Sequence, residues 1–117
     1  LAIAKTHRVK RSKDFDLIFG VKDSYANRKF VLYKKDIQGP HYRVGISVSK
    51  KLGNAVMRNR IKRLIRHALA EMSNHLNAED FVIIARNGIQ ELTYEEIKQN
   101  LQHVLKLSKI YNNGEMD

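Results

Sequence analysis

Residues 43–66 read RVGISVSKKLGNAVMRNRIKRLIR, and this stretch decides the fold. Its first seven residues alternate. Val44, Ile46 and Val48 fall on one side, and Arg43, Gly45, Ser47 and Ser49 on the other, the period-two pattern of a half-buried strand. The second side is made mostly of small residues, which leaves room for something large to lie flat on it. Beyond Gly53 the period changes. Asn54 suits a helix N-cap, and from Met57 apolar residues recur at Ile61, Leu64, Ile65, Ala68, Leu69 and Met72, a single buried helical stripe. A strand therefore runs through a short Lys50-Lys51 turn into an amphipathic helix.

Working outward, 29–35 (KFVLYKK) is rich in strand formers, and Tyr25-Ala26 is a shorter extended candidate before it. Residues 81–85 (FVIIA) form a continuous apolar run, the mark of a strand covered on both faces. Thr93 with Glu96 makes a capping box ahead of Ile97, Leu101, Val104 and Leu105. Near the start, Ser12 caps a predicted short helix over 12–19 that Gly20 ends, with Phe15, Ile18 and Phe19 on one face. The expected fold is an α/β (α+β) two-layer sandwich. It has a small mixed sheet of about four strands and three helices in the order α-β-β-β-α-β-α. The only proline is Pro40 and nothing divides the chain, so residues 1–117 are read as one domain with flexible ends at about 1–10 and 112–117.

The composition narrows the partner. The 117 residues carry 22 Lys and Arg against 12 Asp and Glu, a net charge of +10, and such a basic small domain points to a polyanion. The charge is unevenly placed. Residues 37–70 hold eight basic groups and no acidic one, whereas 71–117 hold four basic and eight acidic groups. No apolar run approaches a membrane span, and nothing at the start resembles a signal peptide. The absence of cysteine excludes thiol catalysis and Cys-based zinc sites, and it fits a reducing cytoplasm.

On the central helix, Arg58, Lys62 and Arg66 form one i, i+4, i+8 row, with Asn59 and Arg63 beside it. Like charges at that spacing repel, and no acidic neighbour in sequence relieves them. Arginine's planar fork matches phosphate oxygens, so a phosphate-binding face outweighs a merely solvated one. Phe15, Phe19, Phe30 and Tyr33 are interleaved with Lys and Arg, as in single-strand nucleic-acid platforms, although any one of them taken alone reads more readily as core. Catalytic signals are weak. His7, His41, His67, His75 and His103 include no pair at metal spacing on one helix face, and Asp14 and Asp16 at i, i+2 point apart. A stand-alone nuclease would need a carboxylate cluster such as Asp14, Asp16 and Asp80.

Residues 43–66, with their small-faced strand, Ser-Lys-Lys, Gly-Asn-Ala and Arg58-Asn59-Arg60 followed by Ile61-Lys62-Arg63, resemble the bacterial ribonuclease P protein component. Lys13-Asp14-Phe15, Ala26-Asn27-Arg28 with Phe30-Val31-Leu32-Tyr33, 81–86 and 92–96 agree in order, so the resemblance spans nearly the whole chain. It implies a non-catalytic subunit bound to a large catalytic RNA. The holoenzyme would remove the 5′ leader of precursor tRNA by Mg²⁺-dependent hydrolysis, with the metal held mainly by the RNA and no cofactor or metal intrinsic to the protein.

Carried over by motif, the RNA-binding residues would be Lys50, Lys51, Asn54, Arg58, Asn59, Arg60, Lys62, Arg63 and Arg66. A leader cleft would be lined by Phe15, Phe19, Tyr33, Ser47 and Ser49. The implied partners are the catalytic RNA and precursor tRNA, with no membrane and no DNA, in the cytoplasm. The resemblance also implies a ribosomal-protein-like fold with a left-handed βαβ crossover, where the general rule favours a right-handed one. The acidic tail 112–117 departs from the family's basic end. The rival reading is a structural ribosomal-type RNA-binding protein or RNA chaperone with no part in cleavage.

Overall fold

The structure is a computed structural model and describes residues 7–9, 18, 23–35 and 39–112. Four strands form one sheet: β1 (Ser24–Ala26), β2 (Phe30–Lys35), β3 (Arg43–Ser47) and β4 (Asp80–Ala85). Their spatial order is β1-β2-β4-β3. β1 and β2 form an antiparallel hairpin, β2 pairs antiparallel with β4, and β4 pairs parallel with β3. The parallel pair is joined by the central helix α1 (Ala55–Glu71), and α2 (Tyr94–Leu107) closes the described chain. Short 3-10 turns occupy Lys50–Leu52, Ser73–His75 and Ile89–Glu91. This is the expected mixed sheet with helices. The predicted first helix lies outside the described residues except at Ile18, which is helical.

Several of the expected boundaries move, the second strand starting at Phe30 rather than Lys29. The third strand stops at Ser47 rather than Ser49, because the Ser49 side chain turns to accept a hydrogen bond from the Lys51 backbone N–H at 3.1 Å and caps the 3-10 turn. The fourth begins one residue early at Asp80, where an ion pair makes a charged residue tolerable inside the sheet. Both helix caps follow the sequence. The Asn54 carboxamide accepts from the Met57 N–H at 2.9 Å, and Thr93 and Glu96 complete the capping box.

Register sorts the sheet into two faces. Phe30 with Ala85, Leu32 with Ile83 and Ile46, and Phe81 with Val44 lie on the helix side. There they meet Ile61, Ile65, Ala68 and Leu69 of α1 and Ile97, Leu101, Val104 and Leu105 of α2 in the main core. On the other face run three rows: Val31–Ile84–Ser47, Tyr33–Val82–Gly45 and Lys35–Asp80–Arg43. Val9 and Ile18 pack over Val82 there in a second, smaller core, with Tyr33 and Ile84 at its rim. Both faces of β4 are thus covered, as its continuous apolar run requires. Asn27 locks the β1–β2 turn. Its Oδ1 accepts from the N–H groups of Lys29 and Phe30, and its amide donates to the Asn100 carbonyl on α2.

Candidate nucleic-acid interface

The turn between β3 and α1 sets the geometry of the basic surface. Gly53 adopts φ 143°, a left-handed conformation that side-chain residues rarely take. It allows Asn54 to start α1 immediately, and Lys50 and Lys51 stand exposed where strand, turn and helix meet. Along α1 the apolar stripe faces the sheet, so the intervening residues face outward. Asn59, Arg60 and Arg63 are exposed, and Arg58, Lys62 and Arg66 are half-buried on the flanks. Arg58 Nε donates to the Gly53 carbonyl at 3.3 Å, which leans its fork over the helix start.

None of Lys50, Lys51, Arg58, Arg60, Lys62, Arg63 or Arg66 makes an ion pair among the described residues. The carboxylates near the helices are engaged elsewhere. Glu71 takes Tyr94, Lys98 and His67, and Glu96 serves the Thr93 cap. A row of uncompensated guanidinium and ammonium groups is unfavourable without counter-charge, and the arrangement suits a run of phosphates. The exposed N–H end of α1 adds its dipole at the same place. Asn54 is placed differently from the cations: its carboxamide oxygen is already engaged as the cap, which leaves its amide N–H groups to face a ligand.

The proposed cleft residues divide. Tyr33 and Ser47 lie on the same sheet face, separated by β4 and offset by two residues along it, and so by roughly 12 Å. Both are half-buried. Ser49 is not on that face, since it has left the strand to cap the turn. Phe15 and Phe19 lie outside the described residues. Ile18, their expected face-mate, is fully buried against Val82, on the Tyr33 side of the sheet.

The carboxylate expected of a nuclease is not available. Asp80 is buried and bound by the Arg43 fork, Nε to Oδ1 at 3.0 Å and Nη2 to Oδ2, with Lys35 as its other row neighbour. Asp14 and Asp16 lie outside the described residues. Sequence reasoning missed Arg8, which bridges to Val44 at the free edge of β3. It also missed the meeting of His7 and His41, whose rings lie 4.3 Å apart with both Nδ1 atoms 2.9 Å from the Tyr42 carbonyl. No sequence pattern marks either, because both depend on an edge pairing between residues 36 positions apart.

A family model described as Ribonuclease P matches residues 3–109. The chain is 67% identical over 117 residues to the ribonuclease P protein component of Lactococcus lactis subsp. lactis, covering all of both chains. It is 61% identical over 110 residues to that of Streptococcus gordonii, covering 94% of this chain and 92% of the relative. Among solved structures, the Staphylococcus aureus RNase P protein superposes with a TM-score of 0.86 at 45% identity, over 92% of this chain and 100% of that one. The Thermotoga maritima RNase P protein does so with a TM-score of 0.79 at 28% identity, over 86% of this chain and 96% of that one.

Proposed function

The chain belongs to the ribonuclease P protein family, and from that membership we propose that it is the RNA-binding subunit of a ribonucleoprotein that trims the 5′ leader from precursor tRNA in the cytoplasm. The observation that carries the reading is the outward face of α1, where five Arg and Lys residues and the Lys50-Lys51 turn stand without a described counter-ion. A large folded RNA supplies phosphates in the number and spacing such a face needs, and charge-assisted Arg–phosphate bonds are among the strongest available to it.

The second RNA ligand, the single-stranded leader, is assigned to the sheet face bearing Tyr33 and Ser47, with Phe15 and Phe19 from the preceding segment. Stacking there accepts any base, which suits a subunit that must handle many leaders. The hydrolytic chemistry belongs to the RNA. Asp80 is held by Arg43, and among the described residues no three His, Asp or Glu side chains converge as metal ligands. In this reading, which rests on the family membership, the Mg²⁺ is held mainly by the RNA.

The test is cleavage of precursor tRNA by the purified protein, the cognate RNA, and the two combined, at physiological Mg²⁺. The expected result is no cleavage by the protein alone and efficient cleavage by the combination. Cleavage by protein alone that is lost in carboxylate variants would make it a nuclease. Tight RNA binding with no effect on cleavage would make it a structural or chaperone protein.

A further inference from the structure

Beyond Ala85 the chain leaves β4 through Arg86 and an Asn87-Gly88 step before the 3-10 turn at Ile89–Glu91. The Ile89 N–H donates to the Arg86 carbonyl at 3.2 Å, and Gly88 adopts φ 101° and ψ −17°. Among the described residues the only positive φ outside glycine is at Lys109, so Asn87 keeps an ordinary backbone and the four residues make a type II turn. Asn87 is exposed. An asparagine followed by glycine is a reactive pair in water, because no side chain on the second residue hinders its backbone nitrogen from reaching the carboxamide carbon.

One side chain holds both reacting groups. The Gly88 N–H donates to Gln90 Oε1 at 2.8 Å, and Gln90 Nε2 donates to Asn87 Oδ1 at 3.2 Å. Attack on the Asn87 Cγ starts with loss of the Gly88 N–H proton, because the amide anion is the nucleophile. A hydrogen bond made by the neutral N–H stabilises the protonated form and opposes that loss. The nitrogen must also break this bond to turn onto Cγ. The bond at Oδ1 draws charge from Cγ and by itself favours attack. It is the longer of the two, so the bond at the nitrogen decides the balance.

We propose that Asn87 is a site of spontaneous deamidation held in check by Gln90. The Gly88 nitrogen forms a bond to the Asn87 Cγ, the bond from Cγ to the side-chain nitrogen breaks, and ammonia leaves with the proton that the Gly88 N–H gave up. Water then opens the resulting succinimide at either carbonyl, to aspartate or to isoaspartate. Either product places a carboxylate where a neutral amide stood. It stands next in the chain to the exposed Arg86 and close to Lys29, whose Nζ lies only 2.6 Å from where a Cβ on Gly88 would be. The modification therefore lowers the net positive charge at that end of the sheet, and the isoaspartate product also lengthens the backbone of the turn. The proposal is independent of the RNA-binding reading.

Two measurements test it. In the first, the folded wild type and Gln90→Ala are aged in mildly alkaline buffer. Peptide mapping follows the mass gain of amide-to-acid conversion at Asn87, and enzymatic methylation marks isoaspartate. The expected result is conversion at Asn87 in both proteins, faster in Gln90→Ala by about three- to tenfold, the worth of one hydrogen bond. Asn113-Gly114, the other Asn-Gly pair of the chain, should convert at one rate in both proteins and serves as the reference. No conversion at Asn87 while Asn113 converts, or an equal or slower rate in Gln90→Ala, overturns the proposal.

In the second, hydrogen exchange at the Gly88 N–H is followed by NMR in the same two proteins. Near neutral pH, amide exchange passes through the same nitrogen anion that attacks Cγ. The Gly88 N–H should be protected in the wild type and should lose in Gln90→Ala the factor that deamidation gains. Exchange that quickens while deamidation does not would show that the bond at the nitrogen is not the restraint, and the proposal falls. The β4 amides report the fold and should exchange alike in both proteins. If they too quicken, Gln90→Met, which keeps the side chain's length and neither bond, takes the place of alanine and is read by the same outcomes.

Discussion

At the scale of single residues, Gly53 and the Arg43–Asp80 pair carry the most structural consequence. A Cβ at Gly53 would sit 2.9 Å from both Cβ and Cγ of Met57, on a backbone at φ 143°. Gly53→Ala should therefore destabilise the protein by about 1–3 kcal/mol. That is roughly 4–6 °C in Tm per kcal/mol for a chain of this size, read by thermal melting. Asp80 makes an asymmetric prediction. Arg43→Ala strands a carboxylate that is 6% exposed, whereas Asp80→Ala releases an arginine already 37% exposed. Removing the partner of a buried charge costs about 3 kcal/mol, so Arg43→Ala should shift the urea midpoint further than Asp80→Ala; the reverse order would show that the buried carboxylate is not the liability. This pair was not legible in the sequence, where Asp80 stood as a candidate metal ligand. Its partner lies 37 positions away and reaches it only through the β3–β4 register. Ser49 misled for a local reason: the alternation of Arg43 to Ser49 continues past the point where a hydroxyl can cap the next turn.

The elements were easier to read, and their periodicity explains why. α1 and α2 announce themselves through long stripes and side-chain caps, and β4 through its unbroken apolar run, because each signal is local. The placement of the N-terminal segment along the edge of β3 was not legible, since 7–9 has no period and its pairing is long-range. For α1, the prediction concerns charge. Replacing Arg58, Lys62 and Arg63 by Ala should weaken binding to the large RNA and lower the log–log salt slope by roughly 2–3. The fold should hold, because like-charge repulsion is relieved. An unchanged slope would leave the face merely solvated. Where the two helices meet, the Tyr94 O–H donates to the Glu71 carboxylate. That bond, with Lys98 and His67 nearby, holds the Glu71 carboxyl below its ordinary value. Burial, and then Glu71, raise the Tyr94 phenol. A depressed carboxyl contributes stability above its unfolded-state pKa and loses it as pH falls through the folded value. A raised phenol contributes below about 10 and loses it as pH climbs beyond. Tyr94→Phe should thus lower Tm at pH 7 and flatten the decline at both the acid and alkaline ends. A Tm–pH curve that merely drops without changing shape would separate Tyr94 from Glu71.

At the scale of the whole molecule, the sheet divides two tasks between its faces. The helix side builds the main core and carries α1 with its cations outward. Among the described residues, Val9 and Ile18 pack over Val82 on the opposite side, with Tyr33 and Ser47 half-buried beside them. A leader strand proposed to lie there would touch half-buried residues beside a fully buried one, and this separates two substitutions on the same face. Ile18 is 1% exposed, and Ile18→Ala should cost about 2–5 kcal/mol of stability, so that binding of every RNA falls together with the folded fraction. Tyr33→Ala removes a rim residue and a stacking platform worth about 1–3 kcal/mol per base. The reconstituted ribonucleoprotein should then bind leader-bearing precursor tRNA roughly 5- to 150-fold more weakly, while its affinity for mature tRNA and the protein's affinity for the catalytic RNA stay as they were. Tyr33→Phe, which keeps the ring, should retain most of the leader affinity. Titrating wild type and the three variants with leader-bearing and leaderless tRNA, alongside melts of each protein, separates stacking from packing. If Tyr33→Ala weakens both tRNAs equally, Tyr33 belongs to the small core with Ile18, and the leader must run elsewhere.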